Sequence, residues 1–164
     1  MKTSKSKWID LYILRHGIAQ ERSLEIDDEI RSLTNKGRIK AIKVVKRLKA
    51  LGFEADRIFT SPYARAHETA KIALKEGLGK NLRITKSLEP LGDPFLIFER
   101  LSNKNLFVGH EPTLGNLITT LIQSQPNAIY LKKTGFAHLR WNKNTINPIG
   151  STELICLIKP SLLK

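Results

Sequence analysis

Arg15 and His16 stand at the end of the apolar run Leu11-Tyr12-Ile13-Leu14, and Gly17 breaks the chain just past them. A guanidinium and an imidazole where a buried strand surfaces are costly unless an anion meets them there. The chemistry this pair could do is attack on phosphorus, with the His16 ring as nucleophile and Arg15 holding phosphoryl oxygens. Alone, so short a motif is weak evidence. Two further stretches give it weight. Arg65 follows Ser61-Pro62, just beyond Arg57-Ile58-Phe59-Thr60. His110 follows Gly109, just beyond Asn105-Leu106-Phe107-Val108.

These residues can act together only if the fold brings three strand ends to one edge. The periodicity predicts that it does. Trp8 to Leu14 reads as the first strand. Ile18 to Leu33 is a long polar loop, of a length that is usually functional in a compact domain, and it would lie over whatever His16 faces. Thr34 caps a helix from Asn35 to about Leu51, with Ala41, Val44, Val45, Leu48 and Leu51 as its core stripe and Gly52 as its stop. Ser61 as cap and Pro62 at the first turn start a second helix, Tyr63 to about Glu76, ended by Gly77 and Gly79. Its N-terminus, with Arg65 in the first turn, would favour anions.

Leu82 to Thr85 reads as a third strand, and Asp93-Pro94 opens a short helix through about Leu101. Glu111-Pro112 opens another, Thr113 to about Gln123. Tyr130 and Leu131 read as extended. Phe136–Trp141 and Glu153–Ile158 read as late strands paired as a hairpin, with Cys156 a core thiol. Strands alternating with helices predict one α/β domain spanning residues 1–164. Its architecture is a three-layer sandwich with a mainly parallel central sheet and helices on both faces. Ligands in such sheets bind beyond the carboxyl ends of the strands. Two arginines and two histidines gathered there would repel one another without an anion between them, which predicts a phosphate or sulfate site.

Composition bounds this reading without choosing it. A chain of 164 residues, 41% hydrophobic and 26% charged, suits one soluble domain. A single cysteine excludes an internal disulfide and fits a reducing compartment. The basic stretch Met1–Lys7 has the charge of a signal n-region, but Asp10, Arg15 and His16 interrupt the apolar run after it. No run approaches the ~18 apolar residues of a membrane span. A cytoplasmic protein with no membrane partner is expected. One cysteine and four scattered histidines offer no metal cluster, so neither metal nor cofactor is expected. The net charge of +13 speaks to partners rather than fold. The Asn35–Leu51 helix carries Lys36, Arg38, Lys40, Lys43, Lys46, Arg47 and Lys49 with no acid of its own, which fits either an anionic partner or a solvated face.

The residues match a pattern. Leu14-Arg15-His16-Gly17, Thr60-Ser61-Pro62 with Arg65-Ala66 and Thr69-Ala70, and Gly109-His110 resemble the histidine phosphatase superfamily, defined by its Arg-His-Gly motif. Arg31-Ser32-Leu33-Thr34 with Gly37, Leu88-Glu89-Pro90 with Gly92-Asp93, and Lys133-Thr134-Gly135 resemble its small SixA-type phosphohistidine phosphatase branch. The resemblance spans about residues 9 to 160 and implies a phosphoglycerate mutase-like fold. It further implies that His16 becomes phosphohistidine while Arg15, Arg65 and His110 hold the equatorial oxygens. Water would then hydrolyse the phosphoenzyme. His16 must attack as neutral imidazole, its other N–H held by a backbone carbonyl. Gly17 is a further candidate at the substrate. Arg31 is either a substrate contact from the covering loop or a surface arginine, and His67 and His138 read as structural or exposed.

The proton donor is the open role. An alcohol leaving group needs a general acid, and the carboxylates of the comparable loop are Glu89 and Asp93. Asp93 reads as a helix cap, which leaves Glu89 as the candidate acid or simply a turn residue. A phosphohistidine leaving group can take its proton from solvent and depart as neutral imidazole. A weak inventory of acids therefore favours a phosphorylated protein as partner, such as a histidine-containing phosphotransfer domain. One alternative is a general phosphomonoesterase acting on a small phosphate ester. Another, of a different class, is a non-catalytic basic module for nucleic acid. Against it, no aromatic residue is interleaved with the basic residues of the Asn35–Leu51 helix.

Overall fold

The computed structural model describes residues 6–163, so most of the basic N-terminal stretch lies outside them. The described residues form one six-stranded sheet in the order β3-β2-β4-β1-β5-β6. Its strands are β1 (Trp8–Arg15), β2 (Ala55–Thr60), β3 (Gly79–Ile84), β4 (Lys104–Gly109), β5 (Phe136–Asn142) and β6 (Glu153–Ile158). β3, β2, β4 and β1 run parallel, while β5 and β6 add an antiparallel hairpin on the β1 side. The helices are α1 (Asn35–Ala50), α2 (Ala64–Lys75) and α3 (Thr113–Leu121).

The layers explain why the central strands are apolar throughout. Tyr12 and Leu14 face Ala41, Val45 and Leu48 of α1 and Ala66 and Ala70 of α2. Their neighbours Leu11 and Ile13 face Leu114 and Ile118 of α3. A strand covered on both faces has no polar side to show, so it loses the usual alternation. The result is the α/β sandwich with helices on both faces that the sequence predicts.

Several local readings are corrected. Leu51 is not in the stripe of α1; it caps the helix and is 51% exposed, with Gly52 turning at φ 90° beside it. Ser61 does not cap α2. Tyr63 stands there without a side-chain bond, because the Ser61 hydroxyl is engaged with the Tyr63 N–H and with His110. Gly77 already reverses the chain at φ 75°, so Gly79 opens β3 instead of ending the helix. The segment Pro94–Arg100 is a 3-10 helix, capped by Asp93 as expected. Tyr130 and Leu131 belong to no strand. Cys156 lies half-buried on the outermost strand and packs against the edge of the core. The cations of α1 are not all unpaired: acids from neighbouring elements reach three of them, Arg38 to Glu68, Lys46 to Glu76 and Lys49 to Glu54.

No helix of the described residues is long and apolar enough to cross a membrane.

Candidate active site at the carboxyl edge of the sheet

Register explains why three distant segments meet. Leu14 of β1 is level with Val108 of β4, and Val108 is level with Thr60 of β2. The next residues along each segment, Arg15-His16, Gly109-His110 and Ser61-Pro62, therefore leave the sheet side by side. The His16 and His110 rings stand with centroids 5.0 Å apart. His110 Nε2 lies 2.9 Å from Ser61 Oγ, and Tyr63 meets the His110 ring edge-on at 5.2 Å.

The backbone under His16 is held on two sides. The His16 N–H donates to the Gly109 carbonyl at 3.1 Å. The Thr134 N–H donates to the Arg15 and His16 carbonyls from a turn at φ 62°, and the Gly135 carbonyl accepts from Arg15 N–H. Lys133-Thr134-Gly135 thus works as a brace for the Arg15-His16 backbone. The His16 ring is fixed as well: Nδ1 sits 2.7 Å from the Gly17 carbonyl, which sets Nδ1 as donor and leaves Nε2 as the bare nitrogen. Gly17 spends its N–H on Thr69 Oγ1 at 3.0 Å and its carbonyl on His16, so it serves the imidazole and offers no free donor. A Cβ on Gly17 would stand 3.0 Å from Leu33, so the loop beyond it packs close.

A cleft of about 330 Å³ opens over His16, with Arg15, Arg31, Arg65 and Lys133 in its walls. Arg31 is 8% exposed and Arg65 3%, so Arg31 is no surface arginine. The loop of residues 18–33 covers this cleft and is tied down: Gln20 N–H donates to Ser32 O, Leu33 N–H to Glu68 Oε2, and Thr34 N–H to Ile18 O. It also delivers a residue the sequence reading missed. Asp28 places its carboxylate 2.9 Å from Arg65 Nη2, 3.2 Å from Arg31 Nη1 and 3.4 Å from Arg22 Nε. The Asp28–Arg31 spacing of three residues was the available signal; among so many loop acids it did not stand out. The same loop caps α2 through its Glu29 carbonyl, which accepts the Ala64 N–H; the helix end therefore offers less to an anion than expected.

Arg15 is held differently. Its Nη1 donates to the Leu131 carbonyl at 2.7 Å and to Tyr130 Oη at 3.0 Å. That segment is in turn hung on Glu111, whose Oε1 accepts the Leu131 N–H at 2.8 Å.

Electrostatics follow from burial among cations. Burial, then repulsion from His110 whenever that ring takes up a proton, push His16 down; the Gly17 carbonyl pulls up, Arg65 and Arg15 add smaller downward pushes, and the ring is left at about 2. Burial and the three arginines push His110 down to about 3. Both rings are neutral at neutral pH. Burial works to raise the Asp28 carboxyl, but the Arg65 hydrogen bond and the arginine charges outweigh it and hold it ionised. Burial lowers the Arg65 guanidinium, and Asp28 pulls it back.

Four buried nitrogens here have no hydrogen-bond partner among the described residues: Nε of Arg15, Arg31 and Arg65, and His110 Nδ1. A buried unsatisfied donor costs about 1–3 kcal/mol.

Glu89 is not among the residues lining the cleft. It stands on the Tyr63 side, where burial and the charges of Glu29, Glu89 and Asp28 push the Tyr63 phenol up. His67 and His138 also lie away from the cleft; His138 bonds the buried Asp10 at 2.7 Å. Among the described residues no group of three or more His, Cys, Asp or Glu could hold a metal ion.

Comparison with known proteins agrees with this geometry. The sequence pattern of the Histidine phosphatase superfamily (branch 1) matches residues 11–90. An uncharacterised protein of Picosynechococcus sp. is 35% identical over 163 residues, covering 94% of this chain and 99% of its own. Phosphohistidine phosphatase SixA of Escherichia coli is 24% identical over 156 residues, 85% of this chain and 96% of its own. The solved structure of protein histidine phosphatase SixA complexed with tungstate superimposes with a TM-score of 0.80 at 23% identity, covering 95% of this chain and all of that one.

Proposed function

We infer the activity from family membership: this chain belongs to the histidine phosphatase superfamily. It is a phosphatase, and the reading we put forward for its substrate is a phosphohistidine side chain of a protein. In this account the phosphoryl group lies over His16, with oxygens on Arg15, Arg31, Arg65 and the Nδ1 side of His110. The bare Nε2 of His16 attacks phosphorus in line, and the P–N bond to the substrate imidazole breaks. That imidazole takes a proton from solvent and leaves neutral. Water then attacks phosphorus, the P–N bond to His16 breaks, and phosphate leaves. The donors are fixed before the reaction, so they stabilise the developing charge without reorganising.

The single observation that carries the oxyanion reading is the gathering of Arg15, Arg31, Arg65 and Lys133 in the walls of one cleft over a neutral His16. Support for nitrogen over oxygen as the leaving atom comes from the acid that touches the arginines; Glu21, which borders the cleft, is a second carboxylate that a small ester could use. Asp28, the carboxylate bonded to the cleft arginines, is held ionised and cannot give a proton at neutral pH. The SixA relatives are named for phosphohistidine. Glu89, on the Tyr63 side of His110, is what a small-ester phosphatase would use instead.

The test offers a phosphohistidine-bearing protein and para-nitrophenyl phosphate side by side. We expect a clear preference for the first, its loss in His16→Ala, and little change in Glu89→Gln. Normal phosphate release by His16→Ala would overturn the mechanism. A preference for the ester, abolished in Glu89→Gln, would instead establish the small-molecule reading. The cytoplasm remains the compartment we propose.

A further inference from the structure

The cleft over His16 does not end at its own walls. Arg15 and Lys133 also border a second cleft of about 640 Å³, whose other cations are Lys40, Lys132 and Lys159. Lys40 and Pro160 lead from there to a third depression of about 580 Å³ on the outer face of α1. The floor of that depression is apolar, made by Ile39, Val44 and Leu163, and Lys36, Lys40 and Lys43 rim it. Ile39 is 58% exposed, a large aliphatic side chain left in water. No carboxylate lines either depression.

Six of the seven cations of the helix divide in the same way, Arg47 standing apart from both groups. Arg38, Lys46 and Lys49 each have an acid within ion-pair distance. Among the described residues, no carboxylate comes within that distance of Lys36, Lys40 or Lys43, the three cations that border the depression. The covering loop, by contrast, carries five acids, Glu21, Glu25, Asp27, Asp28 and Glu29, against Arg22 and Arg31. The loop is net acidic; the other side is a basic track with an apolar floor that adjoins the phosphoryl site.

We propose that this track docks an acidic, amphipathic segment of the protein substrate beside its phosphorylated residue. The inference rests on the phosphoprotein reading above. Carboxylates of the segment meet Lys36, Lys40, Lys43, Lys132 and Lys159, and its apolar side covers Ile39. The acidic covering loop repels the same segment, which fixes the direction in which substrate approaches. Nucleic acid fits less well. Tyr130 is the single aromatic side chain lining the track, so successive bases find no platform of rings to stack on.

The experiment measures kcat and KM separately on two phosphohistidine peptides, one with acidic flanks and one with the acids replaced by glutamine. Para-nitrophenyl phosphate is the control. The variant is Lys40→Glu with Lys43→Glu and Lys159→Glu, none of which borders the His16 cleft. Exposed pairs contribute individually little, but three reversals together should raise KM for the acidic peptide about tenfold or more. We expect kcat, the glutamine peptide and the small ester to be unchanged, and the wild-type preference for acidic flanks to fade with added salt. The triple Lys→Gln variant should shift KM in the same direction by less, and carries the test if the Glu variant folds poorly. Equal KM for both peptides in the wild type, or an unchanged KM in both variants, overturns the inference. Inhibition by single-stranded DNA, lost in the variants while the acidic peptide is unaffected, overturns it in favour of nucleic acid. Hydrolysis of the ester but of neither peptide overturns the phosphohistidine reading itself, and the docking inference with it.

Discussion

Arg65 and Arg15 face the same cleft and are held by opposite means. Arg65 is gripped by a charge: the Asp28 carboxylate at 2.9 Å, delivered by the long polar loop. Arg15 is gripped by neutral groups, the Leu131 carbonyl and the Tyr130 phenol. Both guanidiniums are oriented, but only Arg65 is bonded to a carboxylate; Arg15 feels the Glu111 charge without direct contact. The difference divides positioning from attraction. Arg65, nearly out of water, keeps its charge there at a cost that the Asp28 counter-ion offsets. Arg15, at the mouth of the basic track, has no carboxylate within ion-pair distance among the described residues and is the freer of the two to meet an arriving anion.

The largest effect that sharpens this contrast is Arg65→Ala. We expect kcat to fall about 10²–10³-fold, the usual cost of losing one preorganised donor, read by steady-state kinetics. Gly37→Ala should come next, because it detaches the covering loop from α1: a Cβ there would stand 1.9 Å from the Ile18 carbonyl. About 1–3 kcal/mol of stability should be lost, visible as a lower urea midpoint, with activity falling as Asp28 loses its place. Asp28→Asn keeps an acceptor for Arg65 and removes the charge. It should tighten inhibition by vanadate a few-fold; weaker inhibition would show that Asp28 matters by positioning Arg65 and not by cancelling its field. The smallest effect is Tyr130→Phe, a loss of one of two neutral acceptors, which should raise KM about two- to fivefold.

Acid separates the two histidines from the rest of the molecule. His16 and His110 titrate at about 2 and about 3 in the fold against 6.5 in an unfolded chain. Above pH 6.5 both are neutral in both states and contribute no slope. Below it the unfolded chain takes up protons first, so stability falls as pH drops towards 3, by about 1.4 kcal/mol per unit for each ring. Urea melts at pH 7, 6 and 5 should show this fall, and His110→Asn should flatten it.

What the sequence made legible was what repeats or terminates. An apolar run buried on both faces, a cap at Thr34, a break at Gly17: each is a local signal. Because parallel strands end in register, finding three strand ends was enough to foresee His16, His110 and Arg65 together. The readings that failed depend on partners distant in sequence. Ser61 was expected to cap its helix, but its hydroxyl engages His110 and the Tyr63 N–H instead. Asp28 is one of five acids in its loop, and only the fold chooses which meets Arg65. Glu111 looked like a helix start; its role in carrying the Leu131 peptide depends on a turn twenty residues away.

The central claim is that His16 itself carries the phosphoryl group. Rapid acid-free quenching of enzyme with phosphohistidine protein, followed by mass spectrometry of the His16 peptide, tests it directly. The account predicts a transient mass gain of one phosphoryl group on His16, labile to acid and stable to base, absent in His16→Ala. Full turnover with no such adduct at any time, in enzyme that releases phosphate normally, would contradict it.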